Sequence, residues 1–191
     1  MVSLIWRAQG PWRVLAAVVF GLSLVAMYTV SALYHAVLWS DRLKARMQRI
    51  DHVMIFLLVA GTWTPIAGIV LGGPWRVVTL AAVWGTAVVG VLLKLVLPKL
   101  RTWLSVTLQT AMGWSAIIPL PVLFRRLETS ATALVLAGGV CYTAGMMMFA
   151  MRRPKLFPRV FSYHEVFHVM VVAGSAFHFW VIFRYVLPLG G

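Results

Sequence analysis

The sequence predicts an all-α fold, a polytopic transmembrane helix bundle with six helices in this chain, and three observations carry that prediction. Of 191 residues, 62% are hydrophobic and 11% charged, and the mean hydropathy is +0.92, too apolar for a domain with a solvated surface on every side. Six stretches contain no Asp, Glu, Lys or Arg and run 17 residues or more, close to the roughly 20 a helix needs to cross a ~30 Å hydrocarbon core. The basic residues between these stretches alternate from scarce to abundant along the chain.

Each span has its own justification. Val14 to Ser40 is too long for a signal peptide and lacks a small-residue cleavage site, so it stays as span one. Span two, His52 to Trp75, contains Pro65, and span four, Thr102 to Phe124, contains Pro119 and Pro121; neighbouring helices re-satisfy the carbonyls that prolines free. Val77 to Leu93 is the shortest, and Thr129 to Met151 and Val166 to Phe183 complete the set. With no internal repeat or linker composition, residues 1–191 read as a single integral membrane domain. Cys141 is the one cysteine, so an intramolecular disulfide and a CxxC motif are excluded and it reads as a small packing residue. Gly138, Gly139 and Gly145 in span five permit close helix contact, within one chain or between two, which leaves the oligomeric state open.

A net charge of +13 would suggest nucleic acid in a soluble protein, but its distribution assigns it to orientation. Arg42, Lys44, Arg46, Arg49, Lys94, Lys99, Arg101, Arg152, Arg153, Lys155 and Arg159 lie after spans one, three and five, against Arg7, Arg13, Arg76, Arg125, Arg126 and Arg184 on the other side. The excess predicts a multi-pass membrane protein with loops 41–50, 94–101 and 152–163 cytoplasmic and both termini outside. The expected partners of these charges are anionic lipid headgroups, not nucleic acid.

"HEVFH", His164 to His168, has the His-Glu-x-x-His spacing of zinc metalloproteases. The extended soluble form needs a third histidine at the position of Gly174, and an intramembrane protease needs a downstream acid, whereas no Asp or Glu follows Glu165. A protease is therefore disfavoured, and Glu165, off the His164/His168 face, reads as an interfacial residue.

Titratable groups inside a membrane default to functional candidates because they cost about 2.5–3.5 kcal/mol each at the helix centre. His35 lies six residues before Asp41, Asp51 two after Arg49, and His164 five after Arg159. At 1.5 Å per residue, three helices bring His35, Asp51 and the His164/His168 pair to one depth beneath the cytoplasmic surface. Taken singly, His35 reads as a packing histidine and Asp51 as a helix N-cap. Together they match a catalytic Zn2+ site, three neutral imidazoles with one position left for water. Asp51 would then orient that water and accept its proton, and Ser31, one turn from His35, would donate to an oxyanion or fix the imidazole. His178 lies ~21 Å beyond His164 along the helix and falls outside the site; it reads as an interfacial or hydrogen-bonded histidine. His52 is turned about 100° from Asp51 and reads as a headgroup-level residue.

The segments "SALYH" (Ser31 to His35), "RIDHVMIFLLVAGTWTP" (Arg49 to Pro65), "AMGW" (Ala111 to Trp114) and "HEVFHVMVVAGSAFHF" (His164 to Phe179) closely resemble the bacterial hemolysin III family. That family is related to progestin and adiponectin receptors and, more widely, to alkaline ceramidases. The resemblance covers nearly the whole chain. It implies a seven-helix zinc-binding membrane protein in which His35, His164 and His168 bind the metal and Asp51 holds a zinc-bound water, with Ser31 as the motif serine. Two departures stand out: Trp63 replaces a common tyrosine, and the family's first helix is missing from this chain. A seventh helix at the front would put the N-terminus inside.

The leading functional expectation is a zinc-dependent hydrolase of lipid amides or related lipid-like substrates, acting in membrane lipid homeostasis. The alternatives are a non-enzymatic lipid sensor or regulator with structural zinc, and a pore-forming cytolysin, for which the spans supply few polar side chains.

Overall fold

The computed structural model describes residues 1–97, 102–157 and 161–189. It is an all-α bundle of eight helices: α1 Val2–Arg7, α2 Pro11–Ala36, α3 Asp41–Pro65, α4 Gly73–Val96, α5 Thr102–Trp114, α6 Leu120–Arg126, α7 Thr129–Met151 and α8 Tyr163–Val181. Helices α3 and α8 are prolonged by π-type turns, Ile66–Val70 and Ile182–Val186. Widening after α3 follows from Pro65, which has no N–H to give its helix.

Among the described residues five helices are long and apolar enough to cross a membrane: α2, α3 and α8 with their extensions where present, α4 and α7. The fourth predicted span is divided. It is α5, a 3-10 turn at Ser115–Ile117, and α6, broken where Pro119 and Pro121 remove two backbone donors. It still traverses the bundle, because Gln109 on α5 donates to the His52 carbonyl and Arg126 on α6 donates to the Val70 carbonyl. Those carbonyls are about 27 Å apart along α3 and its extension.

Loop boundaries also shift. Residues 41–50, expected as a loop, are the first turns of α3, so Asp51 is three turns inside a helix and does not cap it. Lys94, assigned above to loop 94–101, is in the last turn of α4 and only 5% exposed. Within 152–163, Arg152 ends α7 in the left-handed conformation and Ser162 caps α8. Lys99, Arg101 and Arg159 lie outside the described residues.

Helix α3 is central: 72% of its apolar window is buried, against 17–33% for the other four. Large apolar side chains such as Leu22, Val78, Val89, Leu92, Val140, Met147, Val172 and Trp180 face outward, the surface expected where the solvent is lipid. Inside, small residues set the crossings. A methyl group on Gly138 would meet His178 Nε2 at 2.5 Å, and one on Gly145 would meet Met170 Cβ at 2.8 Å, whereas Gly139 faces open space. The α7–α8 contact is therefore made by Gly138 and Gly145 within one chain. Gly138→Ala is expected to destabilise the detergent-solubilised protein by about 1–3 kcal/mol through overpacking, and Gly139→Ala by less than about 0.5 kcal/mol. Thermal unfolding of both variants checks this; equal shifts would contradict the packing.

At the end of the bundle away from the α2–α3 connection, arginines close helix C-termini. Arg13 donates to the Leu189 carbonyl, Arg76 to Leu71 and Arg126 to Val70, where the last carbonyls of a helix lack partners and carry partial negative charge.

Candidate metal centre

The site is assembled by antiparallel registers. Helix α8 runs against α2, pairing Phe179 with Phe20, Ser175 with Tyr28, and His164 and His168 with His35. It also runs against α7, pairing His178 with the Val135 carbonyl and His164 with Phe149. Because each pairing continues the one before, the start of α8 is carried to the end of α2.

There the three rings meet. Ring centroids are 5.0 Å apart for His35–His164, 5.1 Å for His35–His168 and 4.8 Å for His164–His168. One nitrogen from each lies within 4.8 Å of the others, and among the described residues no other three His, Cys, Asp or Glu side chains converge in this way. Two nitrogens each ~2.1 Å from one zinc ion are at most ~4.2 Å apart, so ring rotations of under an ångström let all three share an ion. His164 Nε2 is buried and has no hydrogen-bond partner, a state that native proteins avoid unless something else occupies the lone pair. The donor set and this orphaned atom fit zinc.

Asp51 is 8% exposed, and its Oδ1 is likewise buried without a partner. Its carboxylate is within electrostatic reach of His164 and Tyr34. Ser31 is buried one turn from His35 on α2. His35 itself is exposed while His164 and His168 are half-buried, so the cluster opens at the α2 side. The Phe149 ring, 5.6 Å from His164 and 5.2 Å from Phe167, walls the opposite side.

Glu165 is outside the cluster for a specific reason. Its carboxylate accepts from the Ser162 backbone N–H at 2.7 Å, half of a capping box that starts α8. Glu165→Ala is thus expected to leave metal content unchanged and to cost about 0.5–2 kcal/mol of stability, with Glu165→Gln retaining most of the cap; a fall in bound metal would contradict the capping role.

The remaining histidines are accounted for. His178 is hydrogen-bonded through Nε2 to Val135 O at 3.1 Å, well away from the cluster. His52 has partners on two other helices: its ring is half-buried, 3.3 Å from Lys94 Nζ, and its carbonyl accepts from Gln109.

Sequence reasoning missed a second polar layer. Tyr28 and Tyr142 both reach Ser175 Oγ at 2.7 Å, tying α2, α7 and α8 together below the histidines. Its signal was present: Ser175 lies seven residues after His168 and so shares its helix face.

The chain matches the family description "Haemolysin-III related" over residues 1–179, a stretch that includes every residue of the cluster. The chain belongs to the haemolysin III family. Hemolysin-3 of Bacillus cereus is 32% identical over 175 residues, which cover 92% of this haemolysin III chain and 77% of that protein. Hemolysin-3 homolog of Bacillus subtilis (strain 168) is 29% identical over 174 residues, 91% and 78% of the two chains. The human monocyte to macrophage differentiation factor is 22% identical over 181 residues, 91% and 71%. As a haemolysin III protein with five long apolar helices, the chain is a multi-pass membrane protein in contact with lipid.

Proposed function

We propose that this haemolysin III protein is a membrane-embedded, zinc-dependent hydrolase of lipid amides or related lipids. The observation that carries the reading is the convergence of three imidazoles within electrostatic reach of a buried carboxylate whose Oδ1 has no partner. His35, His164 and His168 would hold the ion, which supplies Lewis-acid polarisation of a carbonyl and a more acidic water. Asp51 is the base: it accepts the proton of the attacking water and passes it to the leaving amine, a role that needs a carboxylate free of other hydrogen bonds. Ser31 donates to the carbonyl oxygen as negative charge develops there. The open side at His35 admits an acyl chain laterally, and Phe149 limits its depth. The basic loops orient this end of the bundle toward the cytoplasm of a bacterial cell.

Zinc-loaded protein in lipid nanodiscs, given a ceramide and assayed for released fatty acid by mass spectrometry, tests the proposal. Zinc-dependent release is expected, and a metal-loaded protein without turnover on any lipid amide or ester would overturn the enzymatic reading. One observation favours a second reading, a regulator of membrane state: the histidines come from two helices, so an ion there also staples α2 to α8. That reading predicts bound zinc and no product.

A further inference from the structure

We propose that the chain carries a second polar site, an anion-binding site at Lys94 and His52 with Gln109 and Ser105 of α5, where α3, α4 and α5 meet, and that its ligand is a phosphate oxyanion. It lies on a different face of α3 from Asp51, since His52 and Asp51 are neighbours about 100° apart on the helix.

Lys94 is the unusual residue. It is 5% exposed, and its Nζ donates to His52 Nδ1 at 3.3 Å. An ammonium has three protons to place, and a neutral ring takes one without offsetting any charge. The chain has four acidic residues in all, every one of them described, and none is paired with Lys94. Asp41 is exposed at the start of α3, and Asp51 lies beside His164. Glu128 is exposed before α7, bonded to Ser130, and Glu165 caps α8. A buried cation without a counter-charge is disfavoured in a low-dielectric interior and marks a functional position.

Helix α5, held to α3 at His52 by Gln109, carries a further buried donor. Ser105 is 2% exposed and its Oγ has no hydrogen-bond partner. Gln109 is 6% exposed and uses Nε2 to hold the His52 carbonyl at 3.1 Å, which ties α5 to α3 beside the Lys94–His52 pair. Ser105 and Gln109 are one turn apart on α5 and share a face. Among the described residues His52 Nδ1 is the one acceptor seen for the Lys94 ammonium and the Ser105 hydroxyl has none, and a phosphate offers several acceptor oxygens together with the missing negative charge. The site lies between the last turn of α4 and the beginning of α5, the level of lipid headgroups, so the phosphate comes either from a phospholipid diester or from free inorganic phosphate.

The test uses the full chain in a zwitterionic detergent. Phosphatidylglycerol and inorganic phosphate are added separately, and the thermal midpoint is read for wild type, Lys94→Arg and Lys94→Met. The midpoint is expected to rise by several degrees in wild type and Lys94→Arg, as mass action requires of a ligand that binds the folded state, and to stay unmoved in Lys94→Met. A rise with the lipid alone assigns the headgroup as the source, one with phosphate alone assigns the free anion, and a rise with both assigns the oxyanion they share. No rise with either in wild type, or an undiminished rise in Lys94→Met, overturns the site. Should Lys94→Met fail to fold, wild-type Lys94 is labelled with a membrane-permeant amine reagent and quantified by peptide mass spectrometry. Labelling is expected to slow several-fold with the effective probe, and a rate that neither probe changes overturns the proposal.

Discussion

Asp51→Asn is expected to keep zinc bound and to lower lipid-amide hydrolysis by about 10²–10⁴-fold, the usual loss when a general base is removed. The substitution preserves shape and keeps one acceptor oxygen, so the helix and the histidines stay in place. What it removes is the ability to take a proton. The buried, unpartnered Oδ1 makes this residue the natural acceptor, since a carboxylate already committed to backbone donors, like Glu165, has no lone pair directed at substrate. Zinc content and product release are measured on the same preparation. If the variant turns over at the wild-type rate, Asp51 is not the base; if zinc disappears with activity, Asp51 acts on the metal site itself.

His168→Ala is expected to reduce bound zinc from about one ion per chain to near none at micromolar free metal, because two remaining imidazoles are fewer than the three protein ligands of a catalytic site. The loss has a structural readout independent of turnover. At a hundredfold excess over its dissociation constant an ion stabilises the folded state by about 2.7 kcal/mol, and in this protein it would join α2 to α8. Wild type is therefore expected to unfold at a lower temperature after chelation, and His168→Ala to be indifferent to chelator. Elemental analysis with melting curves decides the matter, and a variant that retains a full equivalent of zinc refutes the ligand assignment.

Much of the site was legible because depth in a membrane is a one-dimensional quantity. His35 precedes the end of span one, Asp51 follows the basic turns, and His164 begins span six. A rise of 1.5 Å per residue then puts them at one level before any fold is known. The divided fourth crossing was only half legible: Pro119 and Pro121 were visible, but whether neighbours would accommodate them or the helix would break depends on contacts made by Gln109 and Arg126. His52 shows the same gap. Its position in the sequence specified its depth, while its partner Lys94 lies 42 residues away on another helix.

By itself, then, the sequence determined the all-α membrane class, the positions of the apolar helices, the family and the level of the histidines, because hydropathy and helical rise act along the chain. Tertiary structure decided which side of each helix faces which neighbour. It left His35 exposed at the rim, turned His52 toward Lys94, and set Gly138 against His178 while Gly139 faces outward. The physical reason is that both sides of a helix such as α7 are apolar, so polarity says little about rotation about its axis. That rotation is set by close packing between segments far apart in sequence, and by the few buried polar atoms that must find partners there.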